Sequence, residues 1–166
     1  MFKHNINISN IKSVNINAYF LSQLQLNKQT KQITELMNKD LIHKFISLWG
    51  FSVLFIKKKK STWWMCIDYR VLNNITVKNK YLLSQIQKCL NKYLLSQIQK
   101  CLNQISKVWY LIKLNLTLSY FQVYIIKNNT KKTVFNTHYS KYKFTAMLFE
   151  LYNVSVTFQL MMNSIL

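Results

Sequence analysis

An α+β fold is expected for this chain, and three observations carry the expectation. A stripe of apolar residues at helical spacing runs through Leu24, Leu26, Ile33, Leu36, Met37 and Leu41. Two pairs of short apolar runs, 51–56 with 63–69 and 133–137 with 141–147, read as hairpins around polar turns. Helical spacing then returns at Phe158, Met161, Met162 and Ile165. At 166 residues, half of them apolar, the chain is about one domain in length and has material for a core.

In chain order, residues 1–20 are rich in Asn and Ile without a clear period, and a poorly ordered lead-in is expected there. The first stripe predicts a helix over about 23–39, with Ser22 or Asn27 able to cap it. Residues 51–56 suit a strand, Lys57 to Lys60 a turn, and 63–69 a return strand, so the hairpin tip is strongly positive. Taken alone, a lysine run is an ordinary solvated face.

An identical tandem repeat, NKYLLSQIQKCL, follows over residues 79–90 and 91–102. Each copy has helical spacing, but its length rotates the second stripe by about 120° relative to the first, so one straight helix would not bury both against the same surface. Two short copies are also too little for a solenoid. A recent duplication, with a break near Asn91 or one copy looped out, is expected.

Residues 110–126 alternate most strictly, Leu114, Leu116, Leu118 and Tyr120 against Lys113, Asn115, Thr117 and Ser119, the pattern of a half-buried strand. By pattern alone, Asn115 lies on the solvated side of that strand. Residues 127–132 form a polar turn, the second hairpin folds around His138, Tyr139 and Ser140, and a helix takes up residues 154–166.

Composition narrows the function classes. The net charge is +19, with Arg70 the only arginine and only Glu35, Asp40, Asp68 and Glu150 as acids. Such a field favours polyanions, although A/T-rich codons would give the same excess of Lys, Asn, Ile, Tyr and Phe. One Gly and no Pro stand where average usage would supply roughly 12 and 8. Loops must therefore be made from Asn, Ser and Lys. Cys66, Cys89 and Cys101 lack CxxC spacing and the three histidines are far apart, so no zinc template is visible and reduced intracellular thiols are expected. No apolar run reaches the roughly 18 residues of a membrane span, and MFKHNINISN lacks the apolar core of a signal peptide. A soluble, intracellular protein without a membrane partner is expected, with compartment and oligomeric state open.

The order and wording of four segments resemble the reverse transcriptase of gypsy-type LTR retrotransposons. They are VLFIKKKKSTWWMCIDYRVLNNITVKNKYLL from Val53, LIKLNLTLSYFQV from Leu111, KKTVFNTHYSKYKFTAMLFEL from Lys131 and NVSVTFQLMMNSIL from Asn153. The resemblance implies a fragment of a right-hand polymerase, fingers plus the first part of the palm. Residues 21–108 and the hairpin 127–145 would be fingers-like, 109–126 a palm-like strand and turn, and 146–166 a truncated palm segment. It also implies that the strand ends near Asn115 and gives way to a short helical turn through Tyr120.

Such polymerases imply an RNA or DNA template-primer and a dNTP as partners, and Mg²⁺ as cofactor. Two ions held by three aspartates stabilise the attacking and the leaving oxygen. Here the first aspartate reads Asn115, whose neutral amide is a far weaker ligand for a hard cation. The YxDD turn that carries the other two is absent, the chain ending before it. No intact catalytic or metal site is expected, and polymerisation should fail on both counts. The resemblance assigns nucleotide or template contacts to Lys58, Arg70, Tyr120, Phe149 and Gln159, while Tyr120 and Phe149 also suit packing and Lys58 a solvated turn. Trp64 replaces a family arginine and Glu150 a glycine. These departures, and family prolines reading Ser52, Leu82 or Leu148, are each reachable by C-to-T or G-to-A changes, as in a decayed element. A basic nucleic-acid-binding remnant and a pseudogene product without function are the rival readings.

Overall fold

The computed structural model describes residues 2–9, 13–57, 63–79, 103, 116 and 118–165. The Lys58 to Lys60 tip, nearly all of the tandem repeat, and the strand expected up to Asn115 lie outside the described residues. Two units are distinguished, one of residues 1–77 with 119–166 and one of residues 78–118. Only the first carries enough described residues for an architecture.

That unit is built on a five-stranded sheet. Its strands are β2 (Ile42–Lys44), β3 (Phe51–Lys57), β4 (Trp63–Ile67), β6 (Phe135–Asn136) and β7 (Lys141–Phe144), in the order β2-β7-β6-β3-β4. The two expected hairpins form its halves. Val53 pairs with Ile67 and Lys57 with Trp63, antiparallel, and Phe135 pairs with Tyr142 in the same sense. The halves join through the parallel pair of β3 and β6, Phe51 opposite Phe135. This register brings aromatic rings together: Phe51 meets Tyr69 edge-on at 5.1 Å and Phe135 stacks on Tyr142 at 5.7 Å. Such pairs add about 0.5–1.5 kcal/mol beyond burial.

Helix α1 (Gln23–Asn38) covers the sheet with Gln29 and Ile33. It starts where the sequence predicts, because Ser22 and Gln25 form a reciprocal capping box. It ends in a Schellman turn, Asp40 N–H bonding Met37 O and Leu41 N–H bonding Leu36 O. Asp40 takes the left-handed φ of 54° that a glycine would usually supply. Two short elements carry no sequence period of their own, β2 and α2 (Arg70–Ile75). The expected helical turn through Tyr120 is a 3-10 turn, Ser119–Gln122, and the polar turn after it is a second, Lys127–Thr133. Helix α3 (Val154–Ile165) closes the chain's described part.

The lead-in differs from expectation. Residues 2–9 and 13–16 run along the core rather than trailing from it, while 17–20 are exposed. β1 (Lys3–His4) pairs in parallel with β5 (Tyr124–Ile125), Ile8 bridges to Thr76 and Asn15 to Gly50. His4 and Ile6 are buried while Lys3, Asn5 and Asn7 are exposed, a period of two. The physical reason is that Ile6 alternates with asparagines whose polar amides face water, so a low β-propensity segment still buries one apolar edge. Gly50 makes this possible, since a Cβ there would lie 2.5 Å from Asn136 Oδ1 and closer still to Asn15.

Candidate functional site

Four of the five residues assigned by resemblance lie in the described sheet unit. Arg70 opens α2 immediately after β4, and Asp68 fixes its guanidinium: Nε donates to Oδ1 at 2.8 Å and Nη2 to Oδ2 at 2.6 Å. The carboxylate also accepts from Arg70 N–H and from the Tyr19 hydroxyl. Hydrogen bonds from Arg70 hold the Asp68 carboxyl below the usual carboxylate range against the opposing effect of burial. Asp68 is 8% exposed and Arg70 80%. A buried anion thus orients a largely exposed cation and occupies the Nε/Nη2 edge of its fork.

Asn73, one turn further along α2, ties this corner to the segment carrying Phe149. Its Nδ2 donates to Glu150 O and its Oδ1 accepts from Tyr152 N, both at 2.8 Å. Phe149 is held there with its ring 75% exposed. Tyr120 lies between two rings, 6.4 Å from Phe149 and 5.2 Å, edge-on, from Phe158. Tyr120 therefore packs against the core and borders an exposed aromatic at once. Gln159 is exposed on α3 and donates to Asn163 one turn on.

Glu150 is half-buried. Burial raises its carboxyl pKa, while its own backbone N–H and the Cys66 thiol pull it back. Lys58 and Asn115 lie outside the described residues. A cavity of about 120 Å³ between the N-terminal segment, α1 and β6 is lined by Tyr19, Phe20, Gln29 and Asn136 among others, and by none of the assigned residues. Sequence reasoning did not single out Asn73 or the orienting role of Asp68. Both stand in the DYRVLN stretch, and that is the signal that points to them.

Among the described residues no three His, Cys, Asp or Glu side chains group to hold a metal ion. At Asn115, which the resemblance sets at the first metal-binding aspartate, a neutral amide would be a weak ligand for a hard cation such as Mg²⁺.

The backbone is that of a polymerase fragment. It resembles the foamy viral protease-reverse transcriptase in a complex with dsDNA, with a TM-score of 0.72 and 16% identity, over 99% of this chain and 30% of that one. The same viral protein in a complex with an RNA/DNA hybrid gives a TM-score of 0.70 at 15% identity, over 98% of this chain and 20% of that one. At such identities the likeness concerns the fold. The chain belongs to the family "Reverse transcriptase (RNA-dependent DNA polymerase)", whose profile matches residues 56–166. An RNA-directed DNA polymerase homolog of Oenothera berteroana is 33% identical over 61% of this chain and 63% of its own length. The Retrovirus-related Pol polyprotein from transposon 297 of Drosophila melanogaster is 27% identical over 99% of this chain, which spans 15% of that polyprotein. The corresponding polyprotein of transposon gypsy is 28% identical over 61% of this chain and 9% of its own length.

Proposed function

We propose that this chain is the fingers and first palm portion of a retrotransposon reverse transcriptase that has kept a phosphate- and base-facing surface and lost polymerisation. In this reading residues 21–108 and 127–145 belong to the fingers, and 109–126 with 146–166 to the palm. The single observation that carries the loss is Asn115 at the position of a metal-binding aspartate. An amide offers a neutral oxygen where the developing charge on a displaced pyrophosphate requires carboxylate-held cations. Glu150 adds a second obstacle by putting a side chain where a glycine backbone would approach substrate.

What remains supports binding of a template-primer. Arg70 is oriented by Asp68, Phe149 and Tyr120 offer aromatic faces, and the Lys57 to Lys60 run, with Lys58 in the family's triphosphate position, supplies charge. Primer extension with Mg²⁺ or Mn²⁺ is expected to give no template-dependent product, and Asn115→Asp alone should not restore it. Product above background from the unaltered chain would overturn the loss. Duplex affinity measured across salt tests the binding half, and an affinity that does not fall as salt rises would sink it.

A further inference from the structure

We infer that the cavity between the N-terminal segment, α1 and β6 is a binding site for a small neutral molecule, a single flat ring that carries one carbonyl oxygen. The site shares no residue with the surface around Arg70, Tyr120 and Phe149.

The apolar stripe of α1 runs through Leu26, Ile33 and Leu36, and at the intervening position, where the same spacing asks for an apolar residue, the chain carries Gln29. Gln29 is 3% exposed, lines the cavity, and has its Nε2 buried with no hydrogen-bond partner. A buried donor left unpaired destabilises the fold, and at a cavity wall a ligand acceptor is what offsets it. Asn136, the other primary amide in the wall, is already engaged: Nδ2 donates to Asn15 Oδ1 at 3.0 Å and to Ile16 O, and Oδ1 lies against Gly50. Thr137 Oγ1 donates to Ser140 O and accepts from Ser140 N–H. The polar group left for a ligand is the Gln29 donor, and it requires an acceptor.

Size and charge select the rest. The cavity holds about 120 Å³, and an apolar cavity of about 150 Å³ takes up one benzene ring. Buried Val53 and half-buried Leu26 give it an aliphatic floor beside Gln29, and the exposed Tyr19, Phe20 and His138 set three rings at its mouth. Tyr19 is tied from outside the cavity, its hydroxyl donating to Asp68 Oδ2. The chain has 23 lysines and arginines, yet none of them lines this cavity, and no acid does either. Phosphates and other anions therefore find no counter-charge here. A neutral ring gains burial and ring contacts, and one bond to Gln29 fixes its orientation.

The test uses benzamide as the probe and toluene as the ring without a carbonyl. Binding to the full chain is followed by isothermal titration calorimetry and by the side-chain amide signals of a ¹H–¹⁵N spectrum. Benzamide is expected to bind one site with a Kd of about 1 mM or tighter and to shift the Gln29 Nε2 signals, which are assigned by their absence in Gln29→Met. Toluene is the more apolar molecule and burial alone would favour it, but it should bind at least about tenfold more weakly. Gln29→Met keeps the length and unbranched shape of the side chain. It should lower benzamide affinity about tenfold and leave toluene affinity within about twofold. Toluene binding the parent as tightly as benzamide would overturn the inference, whatever the variant's fold. So would the absence of benzamide binding up to about 10 mM, undiminished binding to Gln29→Met, or shifts confined to residues away from the cavity.

Discussion

Two regions of the sheet unit handle buried polar groups in opposite ways. In the corner around Asp68, Arg70 and Asn73, each carboxylate oxygen of Asp68 and both ends of the Asn73 amide have partners. Beneath the N-terminal segment, His4 Nε2, Gln29 Nε2 and Asn136 Oδ1 are buried with none. The first corner lies inside the stretch that matches the reverse transcriptase profile. The second involves residues before it, or, at Asn136, a residue that the segment covers. A buried polar atom without a partner costs about 1–3 kcal/mol, so the N-terminal packing is the weaker part of the fold although it buries Ile6 fully.

The largest expected effect comes from breaking the better corner. Asn73→Ala removes two bonds at once and leaves Glu150 O and Tyr152 N without their partner. A loss of about 3 kcal/mol is expected in urea unfolding. Phe149 should also lose its fixed position, read as faster chymotryptic cleavage after it. A loss below about 1 kcal/mol would mean that the clamp is incidental.

Acid should attack the other region. Thr157 Oγ1 donates to Asn153 O, so its bond to His4 Nδ1, at 2.9 Å, is one it accepts, and Nε2 carries the lone pair. Burial lowers the His4 pKa from 6.5 to about 4. The neutral ring therefore stabilises the fold fully above about pH 6.5, and that contribution is lost as pH falls toward 4. By about pH 4.5 the loss should reach roughly 2–3 kcal/mol. His4→Phe, which cannot take a proton, should flatten this slope between neutral and acid pH. An unchanged slope would place the acid sensitivity elsewhere, for instance at Asp68, whose lowered pKa acts in the same direction but at lower pH.

Gly50 is the seam between the regions. Its backbone exchanges bonds with Val14 and Ile16, and a Cβ would press on the Asn136 and Asn15 amides. Gly50→Ala should cost about 1–3 kcal/mol by overpacking. If the two regions unfold separately, the variant should expose the N-terminal amides to hydrogen exchange before those of β3 and β4.

What the sequence showed of all this followed the range of its signals. Helix α1 was legible because Ser22 and Gln25 are three residues apart and cap each other locally. The two hairpins were legible because Val53 and Ile67, or Phe135 and Tyr142, are near in sequence and flank polar turns. The parallel junction of Phe51 with Phe135 spans the chain and left no local trace. The N-terminal strand had a signal, Ile6 and Ile8 alternating with asparagines, but Asn is a poor strand former and the alternation was too short to outweigh that. Arg70, Tyr120, Phe149 and Gln159 came from resemblance to a family. Asn73, which fixes the Phe149 segment, bonds residues 77 and 79 positions away. No periodicity reports a contact of that range.

The smallest expected effect has the opposite sign, and it bears most directly on why the N-terminal packing is weak. Gln29 is 3% exposed and faces Leu26 and Val53 around the cavity, with Nε2 unpartnered. Its amide lost hydration on folding and gained no bond there. Gln29→Met keeps the unbranched shape and length and removes the orphaned donor, so stability should rise by about 1 kcal/mol. If stability falls instead, the amide is satisfied in solution by a bound water or by a shift toward Asn136 Oδ1, the complementary orphan. The double variant Gln29→Met, Asn136→Leu distinguishes those two cases. Coupling between the sites in a double-mutant cycle indicates a direct amide pair, and additivity indicates water.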